Sequence, residues 1–464
     1  MKNITSHAFS PTLSERERLY SIVDGLEVEV RVNANPYGLR LDSLFEMAAR
    51  INKKRGFLFV SKLLGKHIPV VPSLSLGSGA MLGCLYEERI LGRSSTLAAD
   101  ILSDAFGNRD NADQLYRKAI SNKIHLDEPT LFIGFAETAT ALGHSMFDVF
   151  TGQAEFLHTT RESITSRVSS INFDEEHSHA VAHRCYARDR NFFSKPSRIV
   201  LVDDEITTGK TALNIIRELH EQFGHRDFVV ASLLDWRSEA DRERFSELSR
   251  TLGVQIRSLA LVEGAISVQG SPLEADGEGE AVREDSSIVF QRHDVSGMFE
   301  HEPIETAEEH RESKERPAAY LKHSGRFGMN VSDEASLGKE IAKAAEYLSS
   351  RRTGQRVLCL GTGEFMYIPM RIAQLMGSGT YSQSTTRSPI HPMRKEGYAV
   401  SSAYRFDAPD GEEVPNFIYN VAPGQYDEAF VFVERQYDPK QGESFERALA
   451  RIGIPVVHLV FFGK

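Results

Sequence analysis

The sequence predicts an α/β protein in which a parallel sheet carries helices on both faces and a second α/β domain follows. The apolar run at 199–202, which has no polar break, and the largely apolar stretch at 228–234 are typical of strands buried on both faces. The first run is followed by a helical pattern whose apolar face carries Leu213, Ile216 and Leu219. This alternation of strand and helix predicts parallel strands joined by helices.

The composition is that of a globular chain with ample core. A length of 464 residues predicts two or three domains, and 41% hydrophobic and 26% charged residues are ordinary values. The net charge of −11 argues against nucleic acid or a membrane surface as the main partner. Cys84, Cys185 and Cys359 are scattered, as in a cytoplasmic protein with reduced thiols. No apolar run is long enough for a bilayer and no signal-peptide pattern is present, so a cytoplasmic location is expected.

Four segments are expected along the chain. They are a loose arm at 1–25, a first domain at 26–262, an acidic linker without core periodicity at 263–317 and a second α/β domain at 318–464. Within the first domain, alternation at 27–32 predicts an exposed strand and apolar spacing at 39–53 predicts a helix. Trp236, the only tryptophan, is expected in the core rather than on a bound ring.

The stretch 198–211, RIVLVDDEITTGKT, combines chemical features that suit a phosphorylated sugar. Asp203 and Asp204 directly follow the buried strand, and their carboxylates can accept hydrogen bonds from the cis hydroxyls of a ribose. The turn at 207–209 opens a helix, whose N-terminal N–H groups favour a phosphate. A P-loop is excluded because it needs a glycine at position 204. The remaining alternative is an ordinary strand–helix turn with solvated acids.

This stretch resembles the phosphoribosyl pyrophosphate (PRPP) loop of type I phosphoribosyltransferases. The resemblance implies that family's parallel sheet, with Asp203 and Asp204 holding the ribose hydroxyls and the turn holding the 5-phosphate. The turn residues are Thr207, Thr208, Gly209, Lys210 and Thr211. The Thr-Thr form is more similar to the orotate enzymes. Salvage enzymes for 6-oxopurines carry Asp at the position of Thr207, which argues against hypoxanthine or guanine as the acceptor.

Two further stretches resemble the pyrophosphate-facing parts of the same family. The turn after the strand-like stretch at 131–134 carries Ala136, Glu137 and Thr138 where the family keeps adjacent glycines. A glutamate there would repel pyrophosphate unless it binds Mg²⁺ or an arginine. Arg161 ends the next strand-like stretch, where the family aims a basic residue at PRPP. A surface ion pair with a neighbouring glutamate is the alternative for Arg161.

A cationic cluster surrounds a short apolar strand at 57–60. In an acidic protein this cluster is as consistent with an anion site as with a solvated basic patch. Arg55, Lys62 and Lys66 are therefore further candidates for contacts to pyrophosphate or to the acceptor.

Residues 164–197 lack a strong core period and correspond to the flap that closes over the reaction in the family. His177, His179, His183 and Arg184 lie in this flap. The histidines could be metal ligands, but no fourth ligand is evident. A flap that excludes water is the favoured interpretation. No direct metal ligand is predicted, and Mg²⁺ is expected as a cofactor bound through PRPP.

The second half repeats the order of elements of the first. The stretches 357–364 and 381–389 parallel 131–137 and 156–161, with similar spacing from glutamate to arginine. Glu434 and Arg435 stand where the acidic pair would be, so no PRPP site is expected in the second domain. A degenerate copy of the first domain and a coincidence of common strand–helix patterns are the two explanations.

The tetrapeptide Thr386, Arg387, Ser388, Pro389 is the signature of the TRSP domain. In tellurium-resistance-type stress gene clusters this domain follows a phosphoribosyltransferase domain, and those clusters have been proposed to make a nucleoside-like metabolite. Physically, the first three residues form a donor-rich tip for a phosphate or carboxylate. Glu364 is expected to orient Arg387, or alternatively to form a structural pair with it.

The resemblance covers most of the chain and implies a PRPP-dependent phosphoribosyltransferase that releases pyrophosphate. PRPP and a small nitrogenous acceptor are the expected partners, with a homodimer and other enzymes of the same gene cluster as further candidates. Neither nucleic acid nor a membrane is expected. A PRPP- or nucleotide-sensing protein without turnover and a hydrolase of PRPP or nucleosides stay open. The basic residues of the first domain favour a transferase, because a sensor needs no pyrophosphate site.

Overall fold

The computed structural model describes residues 17–51, 56–164, 167–174, 182–189, 191–270, 288–302, 320–409 and 414–463. Its strands are β1 (Glu17–Val23), β2 (Leu26–Ala34), β3 (Phe45–Ala49), β4 (Phe57–Ser61), β5 (Ile124–Gly134), β6 (Phe150–His158), β7 (Ile171–Asp174), β8 (Ala182–Cys185), β9 (Arg198–Ile206), β10 (Asp227–Asp235), β11 (Gln255–Gly270), β12 (Val289–Asp294), β13 (Met329–Asn330), β14 (Val357–Gly361), β15 (Thr380–Ser384), β16 (Ala403–Asp407), β17 (Pro415–Tyr419), β18 (Glu428–Val433) and β19 (Val456–Phe461). Its helices are α1 (Leu41–Leu44), α2 (Pro72–Arg89), α3 (Ala99–Gly107), α4 (Ala112–Ala119), α5 (Ala139–Phe147), α6 (Lys210–Phe223), α7 (Glu239–Leu252), α8 (Val331–Ser349), α9 (Tyr367–Leu375) and α10 (Glu443–Ile452).

The first sheet has the order β1-β2-β11-β10-β9-β5-β6-β13. Its five central strands, β11 to β6, pair in parallel, and antiparallel strands flank them. The apolar residues 199–202 of β9 and 228–231 of β10 are fully buried, because helices cover both faces. The predicted α/β class with a parallel sheet is therefore confirmed.

Two local predictions near the N-terminus are wrong. Glu17–Val23 is strand β1 and not part of a loose arm, because it pairs with β2 at the edge of the sheet. The helix expected at 39–53 is limited to Leu41–Leu44, and the chain then forms β3, which pairs with β4. This hairpin buries Phe45 and Phe59 against Trp236, with ring centroids 4.9–6.1 Å apart. Trp236 is thus a core residue, as expected.

The second sheet has the order β12-β19-β18-β14-β15, and all its strands are parallel. Parts of the segment predicted as an acidic linker, 263–317, form strands instead, since β11 runs to Gly270 and β12 covers Val289–Asp294. The rest of that segment, apart from residues 288 and 295–302, lies outside the described residues. Alternate residues of β14 enter two cores: Val357 and Cys359 face the large core shared with the first sheet, while Leu358 and Leu360 face a second core.

The two sheets share a topology. The first sheet contains β10-β9-β5-β6 in the same order and direction as β19-β18-β14-β15 in the second. Helix α5 joins β5 to β6, and α9 joins β14 to β15 in the same way. Helix α6 joins β9 to β10, and α10 joins β18 to β19. An antiparallel hairpin, β7–β8 or β16–β17, stands between the two pairs. The second domain therefore repeats the chain path of the first.

Individual hydrogen bonds are repeated as well. The N–H of Thr159 donates to Gly134 O at 2.9 Å, and that of Thr385 donates to Gly361 O at 3.0 Å. Each threonine hydroxyl then accepts the N–H two residues after that glycine, from Ala136 at 2.8 Å and Gly363 at 2.9 Å. Shared chain path and shared bonds at corresponding positions favour a degenerate copy over a coincidence of common patterns.

The hairpins are attached in the same way. Thr160 exchanges two backbone hydrogen bonds with Arg184 on β8, both at 2.9 Å. Thr386 exchanges two with Phe417 on β17, at 2.8 and 3.1 Å. Thr386 therefore corresponds to Thr160, and Arg387 to Arg161.

The domains pack through a buried polar cluster between α5, α8 and α9. His144 stacks on Tyr367 with ring centroids 3.6 Å apart, and both side chains contact the Glu334 carboxylate, at 2.6 and 3.1 Å. Asp148 pairs with Arg371 beside them. Burial raises the pKa of Asp148, but Arg371 and Lys123 outweigh it and lower the pKa to about 2. Among the helices of the described residues, none has the length and apolar character needed to cross a bilayer.

Candidate functional site

A cavity of about 350 Å³ opens at the carboxyl ends of the central strands of the first sheet, and we call it the first cavity. Predicted site residues that line it are Lys66, Ala136, Glu137, Thr138, Arg161, His183, Asp203, Asp204, Thr207, Thr208, Gly209, Lys210, Thr211, Arg387 and Ser388. The structure thus brings most of the predicted first-domain site together with the tip of the second domain.

The acidic pair stands at the end of β9. Asp203 and Asp204 are half-buried, and the N–H of Asp204 donates to Asp203 Oδ1 at 2.9 Å. The buried strand holds both residues in place, while their exposed part faces the cavity. The pair can accept hydrogen bonds from a ligand that enters there.

The turn after β9 depends on Gly209. Its φ of +73° lies in the left-handed region that favours glycine, and a Cβ there would meet the Phe245 ring at 2.5 Å. Helix α6 begins at the next residue, Lys210. The first N–H groups of a helix have no partner within it. Since residues 207–211 all line the cavity, the turn is suited to an anion.

The loop after β5 carries one carboxylate between two cations. Glu137 lies 3.5 Å from Arg161 and 3.9 Å from Lys66, and Lys66 also donates to the Thr138 hydroxyl. The Glu137 side chain is 4% exposed, so the two cations neutralise a buried charge. The predicted requirement that an arginine offset Glu137 is therefore met inside the cavity. Arg161 does pair with Glu137, but the pair is buried and is not the surface ion pair named as the alternative.

Lys66 is positioned by the second domain. Residues 65–70 pair with the edge strand β15: Val70 exchanges two backbone hydrogen bonds with Ser382, and the N–H of Ser384 donates to Gly65 O at 2.8 Å. A Cβ on Gly65 would meet Ser382 O at 2.9 Å, so the close approach needs glycine.

The predicted flap contains the hairpin β7–β8. His183 is buried against Phe173, and its Nδ1 lies 2.9 Å from the Thr159 hydroxyl. The Arg184 guanidinium donates to Arg161 O at 3.0 Å. The described base of the flap is therefore fastened beside the strand end that carries Arg161. His177 and His179 lie outside the described residues.

The residues predicted as a second-domain anion site have separate roles. Arg387 and Ser388 reach the first cavity, whereas Thr386 is fully buried and accepts the N–H of Ser388 at 3.1 Å. Glu364 crosses to the first domain, where its carboxylate accepts hydrogen bonds from the Thr160 hydroxyl at 2.6 Å and the Arg161 N–H at 2.8 Å.

Arg326 completes this junction. It lies 3.1 Å from Glu364 and 2.9 Å from Glu434, and it donates to the Thr160 hydroxyl at 2.7 Å. Burial alone raises the pKa of the Glu364 carboxyl, but Arg326 and the hydrogen bonds from Thr160 and Arg161 outweigh it and lower the pKa to about 2. Glu364 therefore holds the backbone at Arg161, just after β6. Its role is not limited to the predicted orientation of Arg387.

Other predictions fall elsewhere. Lys62 pairs with Glu46 and donates to Asp42 O, so it does not line the first cavity. Arg55 lies outside the described residues. Arg50 and Leu58 line the cavity but were not predicted. They reach the cavity because β3 and β4 form a hairpin. The apolar spacing at 39–53 predicted a helix instead, so the sequence did not indicate these two positions.

Within the described ranges, no three His, Cys, Asp or Glu side chains come together as a metal site.

Comparisons with known proteins agree with this arrangement. Residues 44–265 match a family described as phosphoribosyl transferase (PRTase_2), and residues 323–449 match the TRSP domain, described as C-terminal to it. A search of curated proteins found no match.

Solved structures of adenine phosphoribosyltransferases are similar over part of the chain. The enzyme from Trypanosoma brucei, solved with AMP, pyrophosphate and ribose-5-phosphate, is 17% identical with a TM-score of 0.22, over 29% of this chain and 56% of its own. The enzyme from Leishmania donovani is 13% identical with a TM-score of 0.24, over 47% of this chain and 77% of its own. The match therefore spans little more than half of the trypanosomal enzyme.

The Glu364 junction predicts a pH-dependent stability. The pKa of the Glu364 carboxyl is about 2 instead of 4.5. Its contribution to the free energy of unfolding is therefore present above pH 4.5 and is lost as the pH falls towards 2. We expect Glu364→Gln to lower the free energy of unfolding by about 3 kcal/mol at pH 7. Urea unfolding should show this difference from wild type shrinking between pH 4.5 and 2. The exposed pair of Glu243 and Arg250 offers the control, because Glu243→Gln should change stability by less than about 1 kcal/mol. A difference for Glu364→Gln that stays constant with pH would contradict this account.

Proposed function

The chain carries a phosphoribosyl transferase domain followed by a TRSP domain, and from this premise we propose that it transfers ribose 5-phosphate from PRPP to a nitrogenous acceptor. Such an enzyme is a glycosyltransferase of the pentosyl type. The single observation that supports this most is the first cavity itself. It combines an acidic pair, a helix N-terminus and a cationic region on one wall of parallel strand ends.

In this proposal each part of PRPP has its own group of residues. Asp203 and Asp204 accept hydrogen bonds from the ribose hydroxyls. The turn at 207–211 holds the 5-phosphate with backbone N–H groups and hydroxyls. Since the acids stand at the end of β9 and the turn begins α6, one strand–helix unit fixes both ends of the sugar phosphate.

Pyrophosphate is held by cations from both domains. Lys66 and Arg161 of the first domain share one buried carboxylate, Glu137, so together they supply a single net positive charge. Arg387 of the second domain adds a further cation on the same cavity. The accessory domain thereby takes part in binding the substrate.

The reaction is a displacement at C1 of the ribose. The acceptor nitrogen forms a bond to C1 while the bond from C1 to the pyrophosphate oxygen breaks, and pyrophosphate leaves with that electron pair. Positioning of the two reactants and neutralisation of the leaving group account for catalysis. Leu58, Phe135 and Val414 form an apolar part of the cavity wall that suits a planar acceptor ring.

Mg²⁺ fits this site as a companion of PRPP. Asp203, Asp204 and Glu205 are half-buried oxygen donors on the cavity, while no protein cage for a metal is present in the described ranges. This donor set suits an ion that takes few carboxylates together with substrate phosphates. Bound with PRPP, Mg²⁺ would neutralise part of the pyrophosphate charge. The nucleoside-like product and the link to tellurite or stress resistance stay predictions from the sequence resemblance.

The proposal is tested by pyrophosphate release from PRPP with Mg²⁺ and a panel of purine and pyrimidine bases. Release that requires one of the bases, with formation of the corresponding nucleotide, supports a transferase. Base-independent release would instead indicate a hydrolase. PRPP binding without release across the panel would indicate a sensor.

The acidic pair generates a prediction on affinity. Each of Asp203→Asn and Asp204→Asn weakens a charge-assisted hydrogen bond of about 1.5–3 kcal/mol, so PRPP affinity should fall about tenfold to a hundredfold. Thermal stability should stay near that of wild type because both side chains are half-buried. Titration calorimetry should show one PRPP per chain, and no binding in the double variant. Asp104→Asn, on the exposed face of α3, is the control. Unchanged affinity in both single variants would refute the assignment.

The contribution of the second domain generates another prediction. Arg387→Ala should weaken PRPP or pyrophosphate binding about tenfold, because one charge-assisted contact is lost. Arg405→Ala removes an exposed arginine of the hairpin β16–β17 and should leave binding unchanged. Equal affinities for Arg387→Ala and wild type, measured on the full chain, would show that the second domain does not complete the site.

A further inference from the structure

A second cavity of about 250 Å³ opens at the carboxyl ends of the strands of the second sheet. The loops after β14 and β18, the end of β15 and the hairpin β16–β17 all contribute to its wall. These are the counterparts of the elements that form the first cavity. By the repeated hydrogen bonds, the second cavity occupies the position that the PRPP site has in the first domain.

Glu434 takes the place of Asp204 in this cavity. Gly134 is paired with Val202 on β9, and Asp204 stands two residues further on. In the second sheet Leu360 is paired with Val431, which places Val433 and Glu434, and not Glu434 and Arg435 as expected, at the positions of the acidic pair. A carboxylate is therefore kept where the first domain has the second of its ribose-binding acids.

The features that would hold a phosphate are absent from the described wall. Helix α10, the counterpart of α6, begins after Gly442, and a Cβ on Gly442 would meet the Tyr437 ring at 2.0 Å. Tyr437 lies on the cavity wall and donates a hydrogen bond to Glu446 in the first turn of α10 at 2.9 Å. No residue of α10 lines the described wall of the second cavity, whereas Lys210 and Thr211 at the start of α6 line the first. The first turn of α10 also carries Glu443 and Glu446, which repel an anion.

The ion network inside the cavity has one carboxylate more than it has guanidiniums. Three carboxylates, Glu162, Glu364 and Glu434, contact two guanidiniums, Arg326 and Arg435, at 2.7–3.4 Å. This network leaves no excess of positive charge for a polyanion such as PRPP. A phosphorylated ligand is repelled by this network, whereas its uncharged counterpart is not.

One buried acceptor in the cavity has no protein partner. Glu434 is 7% exposed, and its Oε1 makes no hydrogen bond within the described residues, while Oε2 pairs with Arg326. A buried carboxylate oxygen without a donor is costly, and a ligand hydroxyl would satisfy it. Phe406 and Tyr437 place aromatic rings on the same wall, where a planar ring can pack.

We propose that the second cavity binds an uncharged nucleoside, with the ribose hydroxyls on Glu434 and the base against Phe406 and Tyr437. This role goes beyond phosphoribosyl transfer in the first cavity. The two cavities share Arg387 in their walls, so occupancy of one can alter the affinity of the other.

The test uses the full chain with Asp203→Asn and Asp204→Asn, so that binding in the first cavity is suppressed. Adenosine, guanosine, cytidine and uridine are titrated separately by calorimetry and ligand-observed NMR, each beside its 5′-monophosphate. At least one nucleoside should bind, and its monophosphate should bind at least tenfold more weakly. If none of the four binds, or if the monophosphate binds as tightly, the proposal is wrong.

Two added variants locate the binding. Glu434→Gln should weaken it about tenfold, whereas Glu443→Gln on the exposed start of α10 should not. Because Glu434 also pairs with Arg326, Gln441→Trp gives an independent check. Gln441 is exposed at the cavity rim, so a tryptophan there should block entry without disturbing the fold, as circular dichroism can verify. Nucleoside binding that survives both Glu434→Gln and Gln441→Trp would overturn the assignment.

Discussion

The placement of both cavities depends on the carboxylate of Glu364. It comes from the second domain, yet it accepts the N–H of Arg161 and the hydroxyl of Thr160 at the end of a first-domain strand. An unsatisfied N–H at this buried junction would be costly, so the two domains fix each other's geometry. Arg326 neutralises Glu364 and extends the junction to Glu434. One buried ion network thus joins the Arg161 side of the first cavity to the wall of the second.

The two domains show how one backbone frame supports two chemistries. The Thr159 and Thr385 hydrogen bonds, the strand order and the hairpin attachment are the same in both. What differs is the connection after β9 and its counterpart after β18: the start of α6 lines the first cavity, whereas Tyr437, and no described residue of α10, lines the second. The frame fixes where a ligand can lie, and the loop decides which charge it can carry.

Local patterns predicted the parts of the fold that depend on neighbouring residues. The buried runs of β9 and β10, the turn at Gly209 and the repeat of Thr-Thr-Arg are all readable from short stretches. The helix expected at 39–53 failed because β3 pairs with β4 over Trp236, and such tertiary pairing overrides local spacing. The prediction that Lys62 contacts pyrophosphate or the acceptor was wrong for a related reason. A cluster of like charges in the sequence does not show which of its members pairs with a carboxylate such as that of Glu46.

Contacts between the two domains could not be predicted from local sequence patterns. These contacts position several residues of the first cavity. The TRSP tip was expected to bind an anion within its own domain, but packing of α9 against the first domain carries Arg387 to the first cavity. The same packing pairs residues 65–70 with β15 and so sets Lys66 beside Thr138. A first domain alone would keep its acidic pair and phosphate turn but would lose Arg387 and the support of Lys66. The second domain is therefore a structural part of the first cavity, on the side that is proposed to hold pyrophosphate.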